Sequence, residues 1–423
     1  MTFTLPKIHS LSRPQMAAPL LAFALLTISI PAHLAAAAEP DVADLQRQAA
    51  EIAMQRGFDW LARVQQESGA WSNPSFPALT AMPLWAMARS KREDLLPNMQ
   101  RATAFILSCV KQNGPEKGAI YQPVEGRRGG GLSNYNTALS AIALHAVQNS
   151  PLFAATDTTN AFPNLVPILL DARAFMASSQ YLGESLHYGG MGYDPPTERS
   201  YADLSNSYIG YEAMRMTQDL EEFRPGSARV DLNWEAAITF LQRIQNLPEY
   251  NDRPWATDDP AEKGGFAYRP DTFREDFGAF TDEDGILRYR SAKTMTYAGL
   301  LSYLYAGIDK NDPRIEATLN WIRNNWNPDR PNRNPELAGT PAEMGGYYYY
   351  LIALTRALDA YGQDDITLAD GTQINWRNEV ISAIVARQQE EGFWINEYGR
   401  YWEADPVLVT AYSLLALQNA LGL

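Results

Sequence analysis

The sequence predicts an all-α fold, a single (α/α)6 toroid of six helix-pair repeats with QW-type motifs. A motif near the start of the chain returns near its end: residues 65–71 (QQESGAW) match residues 388–394 (QQEEGFW) in spacing. Between these copies, segments with helical periodicity alternate with glycine-rich turns. Internal repeats of this kind decide the architecture of a whole chain, so the fold follows from the repeat.

The first 38 residues have the features of a secretory signal. Lys7 and Arg13 precede an apolar run over 16–30, and small residues up to Ala38 offer a cleavage site. Basic, apolar and small segments in this order are typical of signal peptides. We therefore predict a periplasmic or secreted protein whose mature domain spans 39–423. No later stretch is long and apolar enough to span a bilayer once the signal is removed.

Six helix pairs follow in the mature chain. The second helix of each pair is apolar on most of its surface, as in residues 137–144 (TALSAIAL), whereas the first carries more charge. A helix that is apolar nearly all round belongs in the interior, so the second helices should form an inner ring and the first an outer ring. The predicted pairs are 41–66 with a helix starting near 80, 102–112 with 136–148, 166–180 with a start near 203, 234–245 with a start near 295, 315–325 with 347–361, and 376–389 with 406–421.

Charge and ligand chemistry exclude several classes of protein. The formal net charge is −14, and an acidic body disfavours nucleic acid as a partner. Cys109 is the only cysteine, so an intramolecular disulfide is excluded. After signal removal only His145 and His187 remain, and neither has other ligands at a metal-binding spacing. We therefore predict no metal site and no cofactor.

The repeated motif has a mainly structural interpretation. A glutamine at the end of an outer helix can satisfy free backbone groups nearby, and the tryptophan after it fills the space between repeats. Gln65, Trp71, Gln388 and Trp394 are therefore interpreted as scaffold residues. The frame R-G-x-x-W-L-x-x-x-Q-x-x-x-G-x-W, which begins at Arg56, resembles the QW repeat of squalene–hopene cyclase and its relatives. That group shares its α-α toroid with protein prenyltransferases, and the resemblance implies the prenyltransferase and squalene oxidase repeat fold.

The resemblance also implies where a catalytic acid would stand. Cyclases of this group use the central Asp of a D-x-D-D motif, at the start of an inner helix, as proton donor. The matching segment here is 203–207 (DLSNS), in which Ser205 takes the donor position and Asp203 alone keeps a carboxyl group. Asp203 is therefore the first candidate catalytic residue, and Asp405, at the matching point of the last repeat, is the second. The alternative interpretation is that both residues cap their helices.

Aromatic residues gather at one end of the inner helices. Such a rim can hold a sugar, a polyprenyl chain or a carbocation through its π faces. The alternative is that tyrosine simply packs well in a large barrel while its hydroxyl finds a partner. The candidate substrate-binding residues are Tyr193, Tyr208, Tyr297, Tyr348 and Trp402.

Three functions remain open at this point. The first is a terpenoid-cyclase-like enzyme of the isomerase or transferase class, against which the serine at 205 counts. The second is a secreted polysaccharide-active enzyme such as a lyase, with Tyr208, His187 and Arg199 as candidate catalytic groups. The third is a non-catalytic binding protein. We predict an exported, squalene-cyclase-like protein of unassigned activity that binds a lipid-like, polyprenyl or triterpene ligand in its central cavity and lacks an intact proton donor.

Overall fold

Twelve α-helices in the described part of the chain form six consecutive pairs. The computed structural model describes residues 42–124, 131–152, 163–197 and 201–423, and the predicted signal segment and Arg199 lie outside them. The observed helices start and end close to the predicted bounds, except that α3 begins at Leu96 and not at 102. In chain order they are α1 (Val42–Val64), α2 (Pro77–Arg89), α3 (Leu96–Ser108), α4 (Ser133–Gln148), α5 (Val166–Ser178), α6 (Leu204–Met216), α7 (Trp234–Gln242), α8 (Lys293–Tyr305), α9 (Pro313–Asn325), α10 (Tyr347–Tyr361), α11 (Trp376–Val385) and α12 (Pro406–Leu421).

The second helices of the pairs form a closed inner ring. Helix α2 packs on α4, α4 on α6, α6 on α8, α8 on α10, α10 on α12, and α12 returns to α2. In α12 every residue after Pro406 is buried, as expected for a helix that is covered on all sides. Outer helices such as α3 bury one face only. The prediction of an all-α toroid with two concentric rings is confirmed.

In the described part of the chain, glutamine side chains tie four of the turns to the next outer helix. Gln65 Nε2 donates to the carbonyl oxygens of Gly69 (2.9 Å) and of Asn98 in α3 (3.0 Å). Gln388 Nε2 donates to the carbonyls of Gly392 and of Ala53 in α1, both at 2.8 Å, so the last repeat is joined to the first. Equivalent ties are made by Gln180 to Gly189 and Asn233, and by Gln245 to Gly264 and Arg314.

The tryptophans of the motif are fully buried beside these ties. Trp71 Nε1 donates to the carbonyl of Leu61, and Trp394 Nε1 donates to that of Ile384, each at 2.8 Å. A buried indole with its N–H paired fills space without leaving an unsatisfied donor. The motif therefore acts within the scaffold at these positions.

Glycine is required in the turn because the next helix approaches too closely for a side chain. Gly69 has φ of +88°, and a Cβ atom there would lie 2.2 Å from the carbonyl oxygen of Arg101. Gly189 has φ of +92°, and its Cβ would lie 1.7 Å from the oxygen of Ala236. Both the backbone conformation and the lack of space select glycine.

Two short hairpins interrupt the helical pattern. In the long insert between α7 and α8, β1 (Ala279–Thr281) pairs antiparallel with β2 (Leu287–Tyr289). Before α11, β3 (Asp365–Thr367) pairs antiparallel with β4 (Gln373–Asn375). None of the helices in the described ranges combines the length and hydropathy that a membrane crossing requires.

Candidate ligand-binding site

A cavity of about 390 Å³ lies at the end of the toroid where the inner helices begin. The first turns of all six inner helices contribute to its wall, and the insert before α8 and the loop before α12 complete it. The aliphatic part of the wall is formed by Leu79, Met82, Leu132, Leu139, Met295 and Leu408.

Aromatic rings form most of the remaining wall. The ring centroids of Tyr349 and Tyr412 are 6.0 Å apart, and the ring of Trp402 meets that of Phe76 edge-on at 4.9 Å. Ring pairs at these distances are rigid and present π faces to a ligand. The aromatic lining residues are Phe76, Tyr135, Tyr193, Tyr268, Phe277, Tyr349, Tyr401, Trp402 and Tyr412.

Arg274 and Arg400 of the wall lie at its solvent-exposed edge beside Tyr401, and Asp276 pairs with them from outside the lining. We call these four residues the mouth cluster. Asp276 Oδ2 accepts from Arg274 Nη2 (3.3 Å) and from the hydroxyl of Tyr401, and it forms an ion pair with Arg400 Nη2 at 2.9 Å. The Tyr401 hydroxyl also accepts from Arg274 Nη2 at 3.0 Å. Two guanidinium groups face one carboxylate, so the mouth cluster carries an excess of one positive charge.

The turn at 400–402, which carries Arg400 and Tyr401 of the mouth cluster, is held in a strained conformation. Tyr401 and Trp402 are consecutive and have φ of 62° and 68°, in the left-handed region that side chains other than glycine rarely adopt. Such residues cost roughly 1–2 kcal/mol each and persist where surrounding contacts fix them, often at functional sites. Here the contacts are those of Tyr401 with Asp276 and of Trp402 with Phe76. The strain aims both rings into the cavity wall.

Glu403 anchors this turn to the neighbouring inner helix, α10. Its side chain is fully buried. Its Oε1 accepts from the backbone N–H of Tyr349 at 2.8 Å, and its Oε2 accepts from Asn396 Nδ2 at 2.6 Å. Burial raises the pKa of Glu403 to about 7, although the bonds from Asn396 and from the first N–H groups of α10 oppose the rise. The residue therefore caps α10 from another repeat and fixes the position of Tyr349.

Asp203 lies behind the cavity wall. Its carboxylate accepts from the backbone N–H of Asn206 at 2.9 Å and from Asn206 Nδ2 at 2.8 Å, which makes it the N-cap of α6. Burial raises the pKa of this carboxyl group, and the side chain of Tyr268, a wall residue, hydrogen-bonds to it. Ser205 itself lines the cavity, with its Oγ 2.7 Å from the hydroxyl oxygen of Tyr349. A catalytic role for Asp203 would therefore act through Tyr268, and it stays a prediction.

Asp405 is also a helix cap. Its Oδ1 accepts from the backbone N–H of Val407 at 2.9 Å, and its Oδ2 accepts from the hydroxyl of Ser72. Among the described residues it does not line the cavity. Asp405 therefore caps the start of α12, and its catalytic role as an acid stays a prediction.

The predicted substrate-binding residues divide into two groups. Tyr193 and Trp402 line the cavity. Tyr208, Tyr297 and Tyr348 are at most 3% exposed and lie outside the cavity lining. Successive helical residues point about 100° apart, so in α10 the ring that reaches the cavity is that of Tyr349 and not that of its neighbour Tyr348.

Arg274 and Arg400 are charged wall residues that sequence reasoning missed. Both lie in segments without helical periodicity, one in the insert before α8 and one in the loop before α12. The signal that was available is the adjacency of a cation and two aromatic residues in 400–402 (RYW). Adjacency of this kind places a charge beside π faces, but nothing in the insert itself marks Arg274.

His145, His187 and Cys109 lie in separate settings. His145 Nε2 is 3.1 Å from Asp219, and His187 packs against Tyr181. Cys109 is buried and forms no disulfide. Within the described ranges, no three His, Cys, Asp or Glu side chains are placed to hold a metal ion together.

A closed double ring of helices with a cavity at one end defines the class of α/α-toroid proteins. Solved structures share this fold. The apo type II terpene cyclase MstE from Scytonema aligns with a TM-score of 0.50 and 12% identity, over 89% of this chain and 99% of that chain. The GH76 α-mannanase of Bacteroides thetaiotaomicron aligns with a TM-score of 0.51 and 12% identity, over 88% and 95%. No protein-family model and no curated protein matches the sequence.

These similarities confirm the predicted resemblance to terpenoid-cyclase toroids at the level of the fold. The same architecture carries a terpene cyclase and a mannanase. The fold alone therefore selects no activity, and the function has to be argued from the cavity of this chain.

Proposed function

We propose that this protein binds an apolar ligand of the polyprenyl or triterpene type in its central cavity. The observation that supports this proposal is the composition of the cavity wall, which contains nine aromatic residues in addition to the aliphatic residues named above. The volume of about 390 Å³ falls within the range of roughly 300–1,000 Å³ usual for small-molecule sites. Burial of a prenyl chain against such a wall supplies about 0.8 kcal/mol per methylene.

The residues at the cavity wall favour ligand binding over a cyclisation that starts with proton transfer. The position that matches the family's proton donor is Ser205, which faces the cavity, and a hydroxyl is far too weak an acid to protonate an alkene. The nearest carboxyl group of that motif, Asp203, is separated from the cavity by Tyr268. Ligand binding requires neither residue to ionise.

A polysaccharide-active enzyme is the second candidate, and the shared toroid of a GH76 mannanase favours it. Glycoside hydrolysis needs two carboxyl groups about 5–9.5 Å apart across the scissile bond. No Asp or Glu is among the described residues that line the cavity.

The lyase version of this candidate needs a base and a charge neutraliser. Tyr208 and His187 lie outside the lining, and Arg199 lies outside the described residues. Tyr401 beside Arg274 has the right residue types, but burial and the bond to Asp276 raise the pKa of Tyr401 to about 12. A hydroxyl that holds its proton this firmly is a poor base at neutral pH.

Calorimetric titration with farnesol, the neutral member of a C15 isoprenoid series, and with mannotetraose and oligogalacturonate tests the proposal. We expect saturable binding of one isoprenoid per chain and none of either sugar. Ser205→Phe fills the cavity and should abolish binding, whereas Ser178→Phe on the exposed end of α5 should not. Binding of a sugar without any isoprenoid of the series would overturn the proposal in favour of the second candidate.

We also propose that the chain is exported, because residues 1–38 have the order of charges and apolar residues of a signal peptide. N-terminal sequencing of the protein from fractionated cells should begin at or near Glu39 in the periplasmic or secreted fraction. Recovery of the full-length chain in the cytosolic fraction would contradict this.

A further inference from the structure

The mouth of the cavity is positive in a protein that is strongly negative. The chain carries a formal charge of −14. At the mouth, Arg274 and Arg400 both line the cavity, and Asp276 is the carboxylate that pairs with them. Screened charges farther than about 10 Å contribute little at 0.1 M salt. A ligand head group therefore meets the local excess of positive charge.

Arg274 is held in a fixed orientation by the rings around it. Its guanidinium carbon lies 4.7 Å from the ring centroid of Tyr268, 4.9 Å from that of Tyr401 and 5.7 Å from that of Phe277. Its hydrogen bonds within the described residues, to Tyr401 and Asp276, both use Nη2. The donors on Nε and Nη1 are thus left for another partner. A stacked, partly desolvated guanidinium is well suited to bind a carboxylate or phosphate with two parallel bonds.

Asp276 is already paired with the cations at the mouth. Its Oδ2 accepts from Tyr401 and Arg274 and lies 2.9 Å from Arg400 Nη2, so its single negative charge is outweighed by the two guanidinium groups around it. Arg400, with its side chain 46% exposed, still presents donors to the opening. The charge and the free donors at the mouth both select an anion.

We propose that the ligand is an amphiphile whose anionic head group, a carboxylate or a phosphate, is bound by Arg274 and Arg400 at the mouth. Its apolar tail fills the aromatic interior, and this part rests on the function proposed above. The strained turn at 400–402 places Arg400 and the ring of Trp402 side by side, so one segment contacts both the head and the tail. The two ends of the cavity thus recognise the two ends of one molecule.

Calorimetry with five probes tests this: farnesol, farnesoic acid, farnesyl phosphate, farnesylamine and acetate. We expect the acid and the phosphate to bind roughly tenfold or more tightly than farnesol, because a hydrogen bond to a charged group is worth about 1.5–3 kcal/mol. Farnesylamine should bind more weakly than farnesol. Acetate should show no measurable binding, because it lacks the tail. Added salt should weaken binding of the two anions and leave that of farnesol unchanged.

Arginine variants test whether Arg274 and Arg400 bind the anionic head group. Arg400→Gln and Arg274→Gln should each lower the affinity for farnesoic acid about tenfold more than they lower the affinity for farnesol. Arg274→Lys should recover part of the affinity because it restores the charge without the planar fork. Arg229→Gln, at an exposed arginine outside the cavity lining, is the matched control and should change neither affinity. Circular dichroism confirms that each variant is folded.

The outcomes separate the two proposals. If no isoprenoid binds, the proposed function fails and the head-group inference fails with it. If farnesol binds and the acid and phosphate bind no more tightly, the inference alone is overturned. Tighter binding of farnesylamine would assign the site to Asp276, and acetate binding as tight as that of farnesoic acid would show a simple anion site; both results overturn the inference.

Discussion

The backbone N–H of Tyr349 donates to the buried carboxylate of Glu403 at 2.8 Å. Tyr349 lies in the first turn of an inner-ring helix and lines the cavity, whereas Glu403 belongs to the loop that carries Arg400 and Tyr401 of the mouth cluster. One hydrogen bond therefore couples the interior wall to the mouth. A change that displaces Glu403 will move both the ring of Tyr349 and the strained turn at 400–402.

The first prediction concerns pH. The pKa of Glu403 is raised from 4.5 to about 7 in the folded protein. The folded state therefore keeps a proton that the unfolded state releases, and the free energy of unfolding falls as the pH rises from about 4.5 to 7. The loss from this group is at most roughly 3 kcal/mol. Glu403→Gln cannot ionise and should remove this part of the pH dependence.

Urea denaturation of wild type and Glu403→Gln at pH 4.5, 6 and 7.5 measures the effect. The exposed Glu397→Gln should keep the wild-type pH profile. Parallel profiles for wild type and Glu403→Gln would show that the N–H donors of α10 hold the carboxylate ionised in spite of its burial.

The second prediction tests the tie between the last repeat and the first. Gln388→Ala loses the bonds to Ala53 and Gly392, which should lower the free energy of unfolding by about 1–3 kcal/mol. Its neighbour Gln389 is exposed, and its side chain bonds only weakly to Arg387 within the described chain, so Gln389→Ala should cost less than about 0.5 kcal/mol. Equal losses for the two variants in urea denaturation would show that the tie does not stabilise the ring closure.

The repeat could be predicted from the sequence because each pair contains an apolar second helix that has to be buried. Periodicity predicted the bounds of 347–361 and 406–421 that the structure shows, since both are long apolar helices with clear ends. The residues that line the cavity were harder to predict. Choosing Tyr349 over Tyr348 required the rotation of α10 about its axis, and four successive tyrosines give no sign of which one faces inward. Arg274 comes from an insert whose path no periodic pattern determines.

The third prediction concerns the turn glycine. In Gly189→Ala the new methyl group would meet the carbonyl of Ala236 and would require a left-handed alanine. The left-handed backbone conformation alone costs alanine roughly 1–2 kcal/mol, and the displacement of α7 adds to this cost. We therefore expect the free energy of unfolding to fall by at least about 2 kcal/mol. Gly183→Ala is the control, because a Cβ atom at Gly183 would have no neighbouring atom within 4 Å. A melting temperature unchanged in Gly189→Ala would refute the close approach of α7.

The fourth prediction uses the strain at Trp402. Trp402→Ala and Trp402→Gly both lose the ring that contacts Phe76, and both should weaken isoprenoid binding to the same extent. Only glycine adopts φ of 68° without steric cost, so Trp402→Gly should be more stable than Trp402→Ala by about 1 kcal/mol. The reverse order of stability in urea denaturation would show that the turn relaxes when the ring is removed.

The last prediction concerns Asp203 and separates a cap from an acid. Because Asp203 lies behind Tyr268 and caps α6, Asp203→Asn should leave the affinity for farnesol within about twofold of wild type, and asparagine caps a helix about as well as aspartate. If wild type converts squalene or a polyprenol to a cyclised product, that product should be absent with Asp203→Asn and strongly reduced with Tyr268→Phe, which breaks the link to the cavity. Asp405→Asn should retain it, since Asp405 bonds to Ser72 and Val407 outside the lining. The products are measured by mass spectrometry, together with the melting temperature and the farnesol affinity of each variant. Full turnover in a folded Asp203→Asn variant would show that this residue is not the proton donor. A large loss of farnesol affinity in that variant would show that Asp203 contacts the ligand.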